Sequence, residues 1–170
     1  NYTKQTYRNR CHIAGANGLL ALSVPIVKPD TIKCPTKDIR ISDHGEWRHL
    51  HWNAIASAYG SSPFFEYYQD DIRPFFEKRY EFLLDFNEEI RRTVCNLIGI
   101  EPSYSEPAPG ETDLRDVIHP KRRKAETILP VQLKPYYQVF SEKYGFQPDL
   151  SIIDLLMNMG PESILILQNT

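Results

Sequence analysis

These 170 residues hold no ready-made chemistry motif: no Gly-rich phosphate loop, no GxGxxG, no GxSxG and no HExxH. Cysteine is scarce as well. The three present, Cys11, Cys34 and Cys95, form no CxxC pair, and a chain of this length needs no disulfide staples, so a reducing, cytoplasmic compartment is expected. Long apolar runs are missing. The longest, residues 18–27, contains Ser23 and Pro25 and falls far short of the ~20 residues of a membrane helix. The opening Asn-Tyr-Thr-Lys-Gln lacks the apolar centre of a signal peptide. An excess of one charge is missing too: Lys plus Arg number 20 and Asp plus Glu 22, a net of −2. No global basic field draws the molecule to nucleic acid, so any anion site has to be local.

What is present is ordinary globular usage, 41% apolar and 25% charged, with aromatics at 12% and 13 prolines against 8 glycines. Such a composition predicts aromatic packing between short elements cut by stiff turns. Residues 7–14 and 19–27 alternate like strands and are joined by Gly15-Ala-Asn-Gly18, whose Asn-Gly pair suits a tight hairpin. Leu20, Leu22, Val24 and Ile26 would share the core face. Residues 38–42 read as a further short strand. From Gly45 the period turns helical up to Tyr59, with Asp43 as N-cap. Further helices are expected at 64–78, interrupted at Pro74, and at 80–98, where Leu83, Phe86, Ile90, Val94 and Leu97 form the apolar stripe. Residues 113–118 could form one or two helical turns. Ser151-Ile-Ile-Asp154 has the form of a capping box opening a helix that Gly160 closes, with Pro161 starting the last one. The fold class is therefore α+β: a small, mostly antiparallel sheet packed against helices at 45–59, 64–78, 80–98 and 151–168.

The helix after Asp43 carries the first chemical candidate. At about 100° per residue, Leu50, Ala54, Trp47, Ala58, His51 and Ile55 fill one arc, which turns His51 inward. Trp47, His51, Ile55 and Tyr59 form an i, i+4 ladder, so the imidazole would sit between an indole and a phenol. Burial would keep it neutral, as a general base requires; the plainer reading is a core histidine with one hydrogen bond. His44, His49 and His51 do not converge as metal ligands do, and no metal site is expected. On the first strand Lys4, Arg8, Arg10 and His12 would share a face able to grip phosphate or carboxylate, or else be solvated surface. Asn9 sits among apolar neighbours and would need partners if buried. The basic run Lys121-Arg-Arg-Lys124 lacks the aromatic platform of a nucleic-acid site and reads as a solvated loop. Cys11 and Cys95 read as inert thiols. Nothing points to a particular cofactor.

Three separated stretches, Lys4-Gln-Thr-Tyr-Arg-Asn-Arg10, the Trp47 to Tyr59 ladder followed by Ser62-Pro-Phe-Phe65, and Leu150 to Leu156 with Asn158-Met-Gly-Pro161, resemble the WbqC-like family, a largely uncharacterised bacterial group. The resemblance implies a further N-terminal strand that this sequence lacks, so residues 1–170 are expected to be a single domain without its first strand. It also implies a place in O-antigen or other surface-polysaccharide biosynthesis, with transfer of an amino acid such as glycine to a sugar. Carried over residue by residue, it singles out Asn9, Arg10, Trp47, His51, Tyr59, Ser151 and Asp154. Helix capping accounts for the last two.

The expectation is a transferase acting on a glycan precursor, its substrate a sugar or other small molecule. His51 would be the catalytic base, Arg8 and Arg10 would hold the donor's anion, and Asn9, Trp47 and Tyr59 would orient the substrate. The alternative is a non-catalytic carbohydrate- or partner-binding protein using Phe64, Phe65, Tyr67, Tyr68, Tyr136 and Tyr137 as a binding surface.

Overall fold

The computed structural model describes residues 2–3, 6–31, 33–105, 110, 118–120 and 134–168. The expected turns at 113–118 lie almost wholly outside them, as do Lys4 and the basic run at 121–124.

Strands β1 (Arg10–Gly15) and β2 (Gly18–Ser23) form the expected antiparallel hairpin, in register from Arg10 opposite Ser23 to Gly15 opposite Gly18. Gly18 takes φ of +98°, the left-handed conformation a tight turn needs. A two-stranded ribbon is marginal alone, and this one lies against helices α1 (Trp47–Tyr59) and α6 (Ile152–Met159). Leu22 and Val24 are buried as expected, whereas Leu20 and its neighbour Leu19 stay exposed, although Ile13 and Ala14 opposite them on β1 are buried. The strand expected at 38–42 is reduced to isolated bridges, Ile26 with Ile41 and Arg40 with Phe82.

Between Phe65 and Ile98 the chain makes α2 (Phe65–Ile72), α3 (Pro74–Glu77) and α4 (Leu83–Ile98). Pro74 has no N–H to donate, so it ends α2 and sits at the first position of α3. On α4, Leu83, Phe86, Val94 and Ile98 are buried and Ile90 is half-buried; Gly99, at φ +80°, closes the helix. After α5 (Ser141–Tyr144), α6 is followed by α7 (Ser163–Gln168). Between them Gly160 has φ of +55°, and a Cβ there would meet the Phe64 ring at 2.5 Å, so a glycine is required twice over.

Asp43 is not an N-cap. It makes no capping bond, because α1 is entered through a 3-10 turn over His44–Glu46 in which Gly45 and Glu46 have positive φ, and its carboxylate pairs with Arg48 at 2.6 Å instead. The buried arc of α1 runs from Trp47 through Ala58 and Ile55 to Tyr59. It is rotated by roughly 60° from the arc expected, which leaves Leu50 outside at 59% exposure.

The core has two centres. Ile13, Ile55, Tyr59, Tyr68, Val94 and Leu156 belong to one, and Trp47, Phe75, Tyr80, Leu83 and Phe86 to the other, whose rings meet edge to face. Phe76 and Ile90 pack against both. This accounts for the aromatic excess, since rings and prolines divide the helical region into short, tightly packed segments.

Candidate functional site

A cavity of about 400 Å³ opens along the seam between the two centres. Arg8, Asn9, Arg10 and Cys11 approach it from the start of the hairpin, His51 and Ile55 from α1, and Asn87, Ile90, Arg91, Val94 and Ile98 from α4; Ser151, Ile152 and Ile153 complete it from the head of α6. Four of the six residues expected to form a site are thus brought together. The cationic strand face takes a different form, because β1 begins only at Arg10 and the preceding residues form a turn. His12 is buried, with its ring edge-on to Tyr7 at 5.6 Å.

That turn is held from both sides. The Asn9 carbonyl accepts from the Val24 amide at 2.8 Å, Asn9 Nδ2 donates to the Val24 carbonyl at 2.9 Å, and Asn87 Nδ2 on α4 donates to the Arg8 carbonyl at 2.7 Å. Arg10 Nε donates to Ser23 Oγ at 2.8 Å, which fixes the guanidinium while leaving its two terminal nitrogens to other partners. The Arg8 guanidinium makes no hydrogen bond or ion pair among the described residues, and its charge is felt at the Tyr2 hydroxyl. Asn9 Oδ1 is buried with no partner among the described residues. Arg91 is engaged: Glu88 binds it at 2.7 Å and the Tyr104 ring lies 4.8 Å away. Hydrogen bonds from Arg91, the Tyr104 hydroxyl and Arg92 hold the Glu88 carboxyl down at about 2.

His51 meets the cavity half-buried, its ring edge-on to Trp47 at 5.2 Å and to Phe76 at 6.3 Å. Phe76 therefore takes the place expected of Tyr59. The ring nitrogens of His51 have no hydrogen bond among the described residues. Burial lowers its pKa to about 4, so the imidazole is neutral at pH 7. Cys11 is an unreactive thiol. Burial raises its pKa to about 11, against a weaker opposing bond with Ser151.

Trp47 stands behind His51 rather than in the cavity, its Nε1 donating to the Ser42 carbonyl at 3.0 Å. Tyr59 is not part of the site. Its hydroxyl donates to Asp154 Oδ1 at 2.9 Å, while Tyr136 and Gln138 donate to Oδ2 at 2.8 and 3.0 Å. Asp154, fully buried, is therefore no capping residue. Ser151 does cap α6, but its Oγ accepts from the Ile153 amide at 3.4 Å, and the Asp154 side chain turns into the core instead of bonding back. Burial raises the Asp154 pKa against the pull of its three donors, and it raises the pKa of Tyr59 and Tyr136 as well. The expected aromatic binding surface is also divided: Phe65 and Tyr68 are buried, Phe64 is half-buried against the core and Tyr136 is tied to Asp154, which leaves Tyr67 and Tyr137 exposed.

Asn87 and Arg91 were not expected in the site. Asn87 had a signal, a lone amide between Leu83 and Ile90 on the apolar stripe of α4. His49 faces away and pairs with Asn53 at 2.9 Å.

The sequence model of the WbqC-like protein family matches residues 1–113, about two thirds of the chain, including the Arg8 to Arg10 turn, His51 and Asn87. The chain belongs to the WbqC-like family. Among its relatives is the uncharacterized protein Rv1507c of Mycobacterium tuberculosis, 25% identical over 189 aligned residues that cover 95% of this chain and 81% of the relative. No solved structure matches. The cavity's hairpin, α1 and α4 walls fall within the family match, whereas Asp154 and its donors Tyr136 and Gln138 lie beyond it. No helix among the described residues of this WbqC-like chain is long and apolar enough to cross a membrane.

Proposed function

We propose that this protein is a group-transfer enzyme of bacterial surface-polysaccharide assembly that moves an acyl-type group, such as an aminoacyl or glycyl group, onto a sugar acceptor. One observation carries the reading: Arg8, Asn9, Arg10 and His51 line a single cavity, and the partners that would satisfy Arg8 and the buried Asn9 Oδ1 are missing among the described residues. Buried polar groups are ordinarily bonded, so such a cluster fits a site whose partner is a ligand.

Arg8 and Arg10 hold the donor's phosphate or carboxylate, with Arg able to do so in a bidentate manner. The acceptor hydroxyl or amine attacks the acyl carbon, and a ring nitrogen of neutral His51 takes its proton. The bond to the leaving group then breaks, and its electron pair departs with that group beside the two guanidiniums. The depressed pKa of His51 leaves it free to accept a proton but weakens it as a base. An anion bound next to it favours the imidazolium and restores basicity in the complex.

The test is an acyl-transfer assay with activated aminoacyl donors and sugar acceptors, comparing wild type with His51→Gln and Arg10→Ala. His51→Gln should lower kcat by about 10²–10⁴, and Arg10→Ala should raise KM for the donor. Unchanged turnover in both variants removes the assignment.

A further inference from the structure

The walls of the cavity ask for more than an anion and a sugar. Along α4 its lining changes character. At one end Asn87 holds the Arg8 carbonyl, so Arg8, Asn9 and Arg10 gather there, and His51 joins them because Trp47 contacts both its ring and Phe86, at 5.2 and 6.1 Å. Toward the other end the lining is Ile90, Val94, Ile98 and Ile100, faced by Ile152 and Leu167. Phe86 and Ile98 both line the cavity and are twelve positions apart on α4, roughly 18 Å along its axis. Arg91, between them, is already paired with Glu88. A sugar or a free amino acid placed in that far end would leave its polar groups unbonded against hydrocarbon.

Resting on the reading of this cavity as the donor site, we infer that the ligand is an amphiphile: an anionic headgroup held by Arg8 and Arg10, and a hydrocarbon chain lying along α4. The volume fits. At the ~30 Å³ of a water-sized group, about 400 Å³ holds on the order of a dozen methylenes. A fatty acyl group and a lipid-linked phosphate share this chemistry, and the headgroup distinguishes them.

Binding is tested by titrating the full chain with dodecyl phosphate, laurate and dodecyltrimethylammonium below their micellar concentrations, with intrinsic fluorescence reporting through Trp47 and Trp52. Octyl and decyl phosphate and inorganic phosphate complete the series. One or both anionic dodecyl compounds should bind, and the tighter one assigns the headgroup. Affinity should fall by about fourfold for each methylene removed. Arg8→Ala with Arg10→Ala should weaken the anions at least tenfold and leave dodecanol unchanged. Ile98→Trp should exclude the dodecyl chain while sparing octyl phosphate; the chain-length series on wild type decides the matter if that variant fails to fold. Binding that ignores chain length, binding of the cation as tightly as the anions, or no binding at all overturns the inference. Turnover keeps the two readings apart. Amphiphile binding with no dependence of transfer on His51 retires the transferase reading alone, and His51-dependent transfer from a donor without a chain retires the amphiphile alone.

Discussion

Two ionisable side chains in this WbqC-like protein sit against apolar walls, and their surroundings are opposite. Asp154 is fully buried and each carboxylate oxygen is met by a donor, Tyr59 on one and Tyr136 with Gln138 on the other. His51 is half-buried and shares its cavity with Asn9 Oδ1 and Arg8, and among the described residues none of the three side-chain groups has a hydrogen bond or ion pair. A satisfied network fixes α6 to residues 136–138 and to the end of α1, and its chemistry is already spent within the fold. An unsatisfied one is a cost that folding alone does not repay. Shifted pKa values alone would not separate them, since burial moves both. Their bonding does.

The comparison breaks most directly at Asp154. Asp154→Ala leaves the Tyr59 and Tyr136 hydroxyls without their acceptor and takes from the Gln138 amide one of its two, the Gln147 carbonyl remaining; it should destabilise the protein by about 3–5 kcal/mol, read from urea unfolding. A loss under about 1 kcal/mol would mean that the network is not structural. Tyr59→Phe removes one donor and keeps the ring, so its cost should be about 1–2 kcal/mol, with ligand binding in the cavity unchanged. If Tyr59→Phe instead abolishes binding while the fold holds, the two regions are coupled and the contrast between them fails.

The same contrast explains what could be read from the chain beforehand. The hairpin, α4 and the ends of α6 follow local rules: Asn17-Gly18, a 3.6-residue stripe, Ser151 and Gly160. His51 and Asn9 stood out as polar residues set among apolar neighbours, and Arg8 and Arg10 as part of a cationic strand face; the cavity brings the four together although β1 begins only at Arg10. Asp154 did not stand out. Its local pattern matches a capping box, whereas the donors it meets, Gln138, Tyr136 and Tyr59, lie 16, 18 and 95 residues away, where spacing carries no information. The rotation of α1 that exposes Leu50 and replaces Tyr59 with Phe76 beside His51 is likewise set by tertiary packing.

A titration sharpens the contrast further. His51 is neutral in the fold down to about pH 4 and has an ordinary value of 6.5 when unfolded, so between these values the unfolded chain binds more protons. Its contribution to stability is present above pH 6.5 and is lost as pH falls toward 4. Asp154 has the opposite sign: its raised pKa means that the folded state holds the proton longer, so its contribution declines as pH rises above the ordinary carboxylate value. Because the imidazole is only half-buried, solvent screening reduces its share to about 1 kcal/mol. Comparing thermal midpoints of wild type and His51→Gln from pH 7 to pH 4 isolates it; parallel curves would contradict the depressed pKa. In NMR, dodecyl phosphate should move the His51 midpoint upward, since a bound anion favours imidazolium.

The smallest expected effect on stability is the most informative about function. The Arg8 guanidinium makes no ion pair or hydrogen bond among the described residues, and the bonds that shape its turn run through the Arg8 carbonyl and through Asn9. Arg8→Ala keeps all of these, so unfolding free energy should change by less than about 0.5 kcal/mol. A side chain placed for folding would show the reverse, a loss of stability with binding intact. If Arg8→Ala leaves the fold untouched and still weakens the anionic ligand, the guanidinium is held in the fold for the ligand. That pairing of a silent unfolding curve with a weakened titration is one that no substitution at Asp154 can produce, because there every lost bond is lost from the fold itself.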